Sequence, residues 1–224
     1  TVLITGGSSL LALNWALAIK GQYNVVLALH NRDIEVGGVK TFFFSLNDKE
    51  SIKKAFQKYS PDIVIHTAGL TNIEECEKDK ELAKHVNIKL AINIATVCAE
   101  YNVKLVHIST DHLFSGIHDF SSETEKCFPL NMYAKTKLDA EQSVLEIYPQ
   151  SLIVRTNFFC WGTNYRHSLS DKIIQALRNN ESIELFHDIF FTPILASELA
   201  IKVHKLIDIN ATGIFNVVGN ERLS

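Results

Sequence analysis

The sequence predicts an α/β fold: a doubly wound, Rossmann-like parallel sheet with helices on both faces. Two observations predict this fold. Short β-rich runs alternate with helical patterns five times before residue 156. The runs are apolar throughout, as is typical of parallel strands that are buried on both faces. The chain has 224 residues, of which 46% are hydrophobic, so a substantial core is available.

The elements are predicted in chain order from their periodicity and their breakers. Strands are expected at residues 2–4, 24–29, 41–44, 63–66, 104–108 and 152–154, with further ones at 183–185 and 213–218. Helices are expected at residues 10–20, 49–59, 80–101, 133–146, 170–178 and 196–207. In the third helix the apolar residues form a stripe that we expect to face the core: Leu82, Val86, Leu90, Ile94 and Val97.

The chain is expected to divide by function rather than by a linker, because no low-complexity tract interrupts it. Residues 1–156 are predicted to form a dinucleotide-binding domain that also carries the catalytic residues. Residues 157–224 are predicted to supply substrate-side segments, partly interleaved with the same sheet. This small C-terminal lobe is expected to be either clipped or reduced.

Composition excludes several classes of function. A net charge of -3 argues against a nucleic-acid partner, and no apolar run reaches the roughly 18 residues of a membrane span. The four cysteines include no Cys-x-x-Cys pair, which predicts reduced thiols and a cytoplasmic location. No metal site is expected, because His30 has no second ligand at a suitable spacing. The oligomeric state stays open, and a homodimer is compatible with the sequence.

The turn after the first strand predicts a phosphate site. In a doubly wound fold, small residues there let the backbone approach a pyrophosphate at a helix N-terminus. The turn includes Gly6, Ser8, Ser9 and Leu10, which we assign to cofactor binding. On the Gly-x-x-Gly-x-x-Gly template only Gly6 is a glycine, and Ser9 either donates to the phosphate or crowds it.

Three further segments are assigned to the cofactor. Asn31 and Arg32 follow the second strand, where a basic side chain favours the 2′-phosphate of NADP(H), with NAD(H) as the alternative. Small residues follow the fourth strand and leave room for the cofactor's sugars: Thr67, Ala68 and Gly69. Asn87 either hydrogen-bonds the backbone of the fifth strand and holds the active-site loop, or lies on the helix surface.

A hydroxyl and a Tyr-x-x-x-Lys pattern carry the predicted chemistry. Thr110 follows the fifth strand, and Tyr133 and Lys137 share one face of the next helix because they lie four residues apart. A nearby ammonium is expected to lower the phenol pKa from about 10. Tyr133 would then exchange a proton with a carbonyl, Thr110 would bind the same oxygen, and Lys137 would also hold the nicotinamide ribose.

Longer motifs surround these residues. They are Ser109-Thr110-Asp111-His112-Leu113-Phe114-Ser115-Gly116, the run from Pro129 to Glu141 around Tyr133-Ala134-Lys135-Thr136-Lys137, the run from Pro61 to Asn72, Arg155-Thr156-Asn157, and Thr192-Pro193. In these motifs the chain resembles the extended short-chain dehydrogenases/reductases, and in particular the dTDP-4-dehydrorhamnose reductase branch.

The resemblance implies a catalytic Thr110, Tyr133 and Lys137, NADP(H) or NAD(H), and a nucleotide-linked 4-keto-sugar as substrate. It also implies substrate-binding residues: Thr71, Asp111, Phe114, Arg155 and Asn157. Ser45 and Leu46 stand in the segment that lies near the adenine in this family, where Ser45 replaces the usual Asp. His112 replaces the usual aromatic residue.

Two alternatives remain open at this point. An NDP-sugar epimerase or dehydratase uses the same three residues with tightly held NAD. The chain also resembles the regulatory β subunit of methionine adenosyltransferase, which keeps the fold and serves a partner enzyme, so the fold alone does not establish catalysis.

Overall fold

The computed structural model describes residues 1–116 and 120–224. The strands are β1 (Val2–Thr5), β2 (Val25–Leu29), β3 (Lys40–Phe43), β4 (Ile63–His66), β5 (Lys104–Ile108), β6 (Leu152–Arg155), β7 (Phe158–Phe159), β8 (Ile194–Leu195) and β9 (Gly213–Asn216). The helices are α1 (Leu10–Ile19), α2 (Lys49–Tyr59), α3 (Ile73–Lys78), α4 (Lys80–Lys84), α5 (Leu90–Tyr101), α6 (Met132–Ile147), α7 (Leu169–Asn179) and α8 (Ala196–Asp208). A π-helical turn, His85–Lys89, joins α4 to α5.

Among the described residues, seven parallel strands form one sheet in the order β3-β2-β1-β4-β5-β6-β9. The chain starts at β1, runs outward through β2 and β3, and then crosses back to β4 on the other side of β1. Where strand order reverses in this way, a crevice opens at the carboxyl ends of the strands, and α/β proteins bind ligands there. The predicted doubly wound parallel sheet is confirmed.

Both faces of the sheet are covered, because successive residues of a strand point to opposite sides. Val2 and Ile4 of β1 pack in a core layer with α1 and α8. Leu3 packs in the opposite layer with α2, α5 and α6. All three side chains are fully buried. The double burial explains why the strands read as continuous apolar runs in the sequence.

The last part of the chain returns to this sheet. β9 pairs with β6, with Leu152 opposite Gly213, and α8 packs against α1. β7 and β8 form a separate parallel pair just beyond β6. Residues 157–224 therefore contribute both to the sheet and to segments beyond its carboxyl edge. In the described ranges no helix has the length and apolar character that a bilayer crossing requires.

The helix predicted at residues 80–101 is continuous, but the π turn changes which residues face the core. A π turn holds one residue more than an α-helical turn, so residues four apart across it stay on the same face of the helix. Asn87 and Ala91 are such a pair, and both are buried. The prediction is therefore wrong for the first three residues of the stripe. Leu82, Val86 and Leu90 line a cavity and do not face the core. The second half is buried as predicted: Ile94 and Val97.

Other differences concern short elements. The strand predicted at residues 183–185 is wrong: this segment is irregular, and Leu185 is exposed. Three apolar-rich residues do not specify a strand without a neighbouring strand to pair with. Short α3 and the β7–β8 pair were not predicted, and β9 ends two residues earlier than expected. Asp48 caps α2, because its carboxylate accepts from the backbone N–H of Ser51 at 3.2 Å.

Two histidines lie side by side beneath the carboxyl edge of the sheet. His66 of β4 and His107 of β5 are paired in register and fully buried, with ring centroids 5.4 Å apart. Burial, together with the nearby Lys137 charge, lowers the pKa of His66 to about 3. Burial, Lys137 and His66 lower the pKa of His107 well below its usual value. Both rings are therefore neutral in the folded protein at neutral pH.

Acid should destabilise the fold through these histidines. A histidine whose pKa is about 6.5 when unfolded and lower when folded favours the unfolded chain as pH falls below 6.5. For His66 this loss continues until about pH 3. Each such group removes up to about 1.4 kcal/mol of unfolding free energy per pH unit. In urea unfolding we expect the free energy of unfolding to be at its full value at pH 7.5. It should fall with increasing slope below pH 6.5, so that the loss is clear at pH 5.5.

His66→Gln should flatten this pH dependence, because glutamine does not titrate. The matched control is His30→Gln, at an exposed position beyond β2. If both variants keep the wild-type slope between pH 6.5 and 5.5, buried His66 is not a source of the acid sensitivity.

Candidate active site

The predicted site residues converge because they follow adjacent parallel strands. β1, β4 and β5 are neighbours in the sheet, so their carboxyl ends meet at one edge. The glycine turn follows β1, the Thr67–Gly69 segment follows β4, and Ser109 and Thr110 follow β5. The N-terminus of α6, which carries Tyr133, packs beside the π turn. Residues far apart in sequence are therefore brought to the crevice where the strand order reverses.

The turn after β1 needs both of its glycines. Gly6 has φ of 66°, and a Cβ atom there would lie 2.9 Å from the Ala68 backbone. A Cβ on Gly7 would lie 2.9 Å from the Cβ atom of Leu27 in β2. Such distances leave no room for a side chain. Gly7 was not assigned from the sequence, although its position directly after Gly6 is a signal of a tight turn.

Ser9 caps helix α1. Its hydroxyl accepts a hydrogen bond from the backbone N–H of Ala12 at 3.2 Å and lies 3.3 Å from the hydroxyl of Thr67. Thr67 in turn donates to the carbonyl oxygen of Thr5 at 2.7 Å. The side chain that replaces the second template glycine is therefore held between the helix end and the segment after β4.

A cavity of about 510 Å³ lies along this edge. It is lined by most of the residues assigned to the cofactor: Gly6, Ser8, Ser9, Arg32, Leu46, Thr67, Ala68 and Gly69. It is also lined by residues that were not assigned, among them Asn47, His85, Tyr165 and Arg166. Leu10 and Ser45 do not line it. The Ser45 hydroxyl accepts from the Asn47 N–H at 3.2 Å, and Asn47 is the polar residue of this segment that lines the cavity.

A second, more open cavity of about 600 Å³ adjoins the first at the end of β2. Its lining is polar: Ser8, His30, Asn31, Arg32 and Asp33. Ser8 and Arg32 line both cavities, so the two form one continuous region. Asn31, assigned to the cofactor from the sequence, belongs to this second cavity.

Asn87 is buried and fully bonded, so it is not a helix-surface residue. Its side-chain oxygen accepts from the Leu70 N–H at 2.7 Å, and its amide nitrogen donates to the Leu70 carbonyl at 3.0 Å and to the Thr136 hydroxyl at 2.9 Å. The predicted bond to the fifth strand is wrong. Asn87 instead connects the loop after β4 to helix α6, which makes it a positioning residue.

The Thr110 hydroxyl lies beside the phenol of Tyr133, as their predicted common role requires. Burial nevertheless raises the pKa of Tyr133 to about 12; the neighbouring Thr110 hydroxyl opposes this shift and the Asp111 carboxylate reinforces it. The predicted lowering of the phenol pKa is therefore wrong. The reason is that the Lys137 ammonium points elsewhere and does not offset the burial of the phenol.

Lys137 is buried beneath Tyr133. Its Nζ donates to the carbonyl oxygen of Ile108 at 2.7 Å and lies 3.3 Å from His107 Nε2. Burial lowers its pKa to about 8, although Glu141 opposes the shift. His107, which the sequence analysis did not assign, thus contacts the predicted catalytic lysine directly. The only sequence signal for it was a polar residue within an otherwise apolar strand.

The predicted substrate-binding residues separate into two groups. Asn157 donates to Asp111 at 3.1 Å, so these two lie together beside Thr110. Burial raises the pKa of Asp111. Phe114 is partly buried in the loop after Asp111, and Thr71 is exposed after β4. These four residues remain accessible to a molecule at the carboxyl edge.

Arg155 does not share this exposure. It is 3% exposed, and its guanidinium forms a salt bridge with Glu141 on α6 at 2.8 Å, while Phe114 lies against its face. Nε also donates to the same carboxylate at 3.1 Å. The geometry favours a structural role over the predicted contact with substrate: the pair connects the end of β6 to helix α6.

The fold and the site define an α/β protein with a dinucleotide-type crevice beside a Thr, Tyr and Lys set. The chain belongs to the family described as the RmlD substrate binding domain, which matches residues 1–224. It is 26% identical to the probable low-salt glycan biosynthesis reductase Agl14 of Haloferax volcanii, over 99% of this chain and 75% of that protein. It is 27% identical to the dTDP-4-keto-6-deoxy-D-glucose reductase of Streptomyces niveus, over 96% and 71%.

A solved structure shares the whole described fold. The crystal structure of a hypothetical dTDP-4-dehydrorhamnose reductase from Sulfolobus tokodaii matches with a TM-score of 0.86 and 27% identity. The match covers 100% of this chain and 77% of that one. The resemblance predicted from the sequence motifs is confirmed. The chain spans about three quarters of the length of these relatives.

Breaking the Glu141–Arg155 pair should be costly. Both side chains are at most 4% exposed, so Glu141→Ala leaves a buried charge without a partner. We expect a loss of about 3–5 kcal/mol of unfolding free energy in urea titrations. Replacing both, as Glu141→Leu with Arg155→Met, should recover much of that loss.

The control is the exposed pair Glu81–Lys84, where Glu81→Ala should change stability by less than about 0.5 kcal/mol. A loss at Glu141 no larger than at Glu81 would show that the buried pair does not hold β6 to α6.

Proposed function

We propose that this chain is a reductase of a nucleotide-linked 4-keto-sugar. It would use NADP(H) in preference to NAD(H). The observation that carries the proposal is that the Thr110 hydroxyl and the Tyr133 phenol lie next to each other, with buried Lys137 nearby, beside the crevice at the carboxyl edge. The relatives support the reaction and the substrate class, because their names describe reductases of dTDP-linked keto-sugars and of glycan synthesis.

The crevice fits a dinucleotide. The backbone at Gly6 and Gly7 approaches its neighbours closely enough to exclude any side chain, which leaves a bare turn at the N-terminus of α1. The adjoining cavities extend from Gly69 to Arg32. Arg32 at the far end is the residue type that binds a 2′-phosphate, which supports NADP(H). When bound, the cofactor would supply the hydride.

The residues of this chain would orient the carbonyl and protonate it. The phenol of Tyr133 keeps its proton at neutral pH and donates it to the carbonyl oxygen as hydride arrives at carbon. The Thr110 hydroxyl holds the same oxygen and shares its developing charge. Lys137 lies behind this pair and would contact the nicotinamide ribose. These roles are those of the extended short-chain dehydrogenases/reductases, to which we assign the chain.

The substrate would lie at the same edge, opposite the cofactor. Asp111 and Asn157 supply polar groups beside Thr110, and Thr71 and Phe114 flank them in the neighbouring loops. We accordingly assign cofactor binding and catalysis to residues 1–156 and the substrate side mainly to 157–224. The unpaired cysteines Cys76, Cys98, Cys127 and Cys160 support a reducing, cytoplasmic environment.

The alternatives from the sequence are less well supported. An epimerase or dehydratase shares the three catalytic residues, but the relatives described above are reductases. A regulatory subunit needs no proton donor beside a second hydroxyl, whereas Tyr133 and Thr110 lie next to each other.

Tyr133→Phe tests the proposed proton donor. It removes the phenol hydroxyl and keeps the ring, so NADPH oxidation with a dTDP-linked 4-keto-6-deoxy-sugar should fall by at least about 100-fold. NADPH affinity, measured by fluorescence titration, should change by less than about threefold, because the hydroxyl is assigned to the carbonyl. Tyr148→Phe, at the opposite end of α6, is the matched control and should keep wild-type turnover.

Turnover that survives in Tyr133→Phe would show that another group donates the proton. NADPH binding by the wild-type protein without any turnover of keto-sugar nucleotides would favour the regulatory alternative. Absence of binding by both NADPH and NADH would exclude the reductase.

A further inference from the structure

Tyr165, in the loop between β7 and α7, contacts both parts of the cofactor region. Its hydroxyl donates to the carbonyl oxygen of Ser8 in the phosphate turn at 2.9 Å. Its ring lies against the guanidinium of Arg32, with Arg32 Cζ 4.3 Å from the ring centroid. Tyr165 is partly buried, and it lines the cavity of about 510 Å³ along the carboxyl edge. One side chain from the C-terminal part thus reaches two elements of the N-terminal part.

The contact with Arg32 orients a cation that has few other constraints. Arg32 is exposed at the end of β2, and within residues 1–116 and 120–224 it forms no salt bridge or hydrogen bond. Stacking on an aromatic ring uses the face of a guanidinium and leaves its N–H edge free for a planar, bidentate contact. A phosphate monoester is a ligand of this kind. The ring of Tyr165 therefore presents Arg32 without occupying its donors.

The surroundings of Arg32 suit that ligand only in part. Ser8 and Asn31 add neutral donors to the same cavity. Asp33 lines it as well, and its carboxylate repels a phosphate but accepts from a ribose hydroxyl. The cavity thus holds groups for either dinucleotide, and the position of the Arg32 guanidinium decides which of them is favoured.

We propose that Tyr165 is a specificity-determining residue with two separable roles. Its ring positions Arg32 for the 2′-phosphate of NADP(H), whereas its hydroxyl fixes the phosphate turn that NADP(H) and NAD(H) share. The inference rests on the proposed function for the presence of a dinucleotide, and it extends that function to the choice between the two cofactors.

Two substitutions separate the roles. Tyr165→Phe removes only the hydroxyl, so NADPH and NADH affinities should fall together, by about 2–10-fold, as expected for one hydrogen bond. Tyr165→Leu removes the ring as well. It should lower NADPH affinity by a further factor of about 2–30, the range of a cation–π contact, while NADH affinity stays at the Tyr165→Phe level.

Binding is measured by fluorescence titration with NADPH and NADH, and by competition with 2′,5′-ADP and AMP, which differ in the 2′-phosphate and lack the nicotinamide. The fragments report on the Arg32 site independently of catalysis. Trp161→Leu is the control in the same loop, because its side chain is 64% exposed and it should leave all four affinities unchanged. Thermal unfolding checks that every variant is folded.

Arg32→Met completes a double-mutant cycle. If Tyr165 acts through Arg32, Tyr165→Leu should leave the ratio of NADPH to NADH affinity unchanged in the Arg32→Met background. The proposal would be overturned if NADPH and NADH affinities fell equally from Tyr165→Phe to Tyr165→Leu. It would also be overturned if Tyr165→Leu and Arg32→Met had additive effects on the ratio of NADPH to NADH affinity.

The same titrations distinguish failure of this inference from failure of the proposed function. If the wild-type protein binds NADPH and NADH equally, or 2′,5′-ADP no more tightly than AMP, the role of Tyr165 is refuted and the reductase stands. If it binds no dinucleotide, the reductase and the role of Tyr165 are refuted together.

Discussion

The geometry of this site depends on one buried amide, that of Asn87. Its three hydrogen bonds join the backbone at Leu70 to the hydroxyl of Thr136, and Thr136 donates in turn to the carbonyl oxygen of Tyr133. The loop after β4 and the first turn of α6 are thereby fixed to each other. A buried polar group left without a partner costs about 1–3 kcal/mol, so each of these contacts constrains the others. The π turn that contains Asn87 is the local distortion that brings its amide to this position.

Protonation states at the site favour one direction of chemistry. With a pKa of about 12, Tyr133 keeps its proton across the physiological range, and Lys137, with a pKa of about 8, stays mostly protonated at neutral pH. A protonated phenol is a proton donor, which carbonyl reduction requires, whereas alcohol oxidation requires a phenolate. Lys137 holds its place through Ile108 and His107 rather than through the phenol. The protonated phenol is therefore in the form that a reductase uses.

The sequence predicts the sheet, and the convergence of Thr110, Tyr133 and Lys137 at one edge of it, because both follow from local signals. Apolar runs define the strands, and the position of Thr110 after a strand and of Tyr133 and Lys137 on one helix face is set by spacing alone. The rest depends on contacts between distant segments. Arg155 stands at the end of β6 whether it pairs with Glu141 or binds substrate, so the local sequence does not distinguish the two roles. Tyr165 stands in an irregular loop, and only the folded chain brings it to Ser8 and Arg32.

The phosphate turn shows how a degraded motif can keep its physical properties. A helix leaves its first N–H groups without intrahelical acceptors, and the Ser9 hydroxyl accepts from one of them, that of Ala12. For the N–H groups of Leu10 and Leu11 the described part of the chain supplies no acceptor. Gly6 and Gly7 keep the backbone beside them free of side chains. Ser9 thus replaces one contact that a phosphate would have made, while the helix dipole and two donors remain available to it.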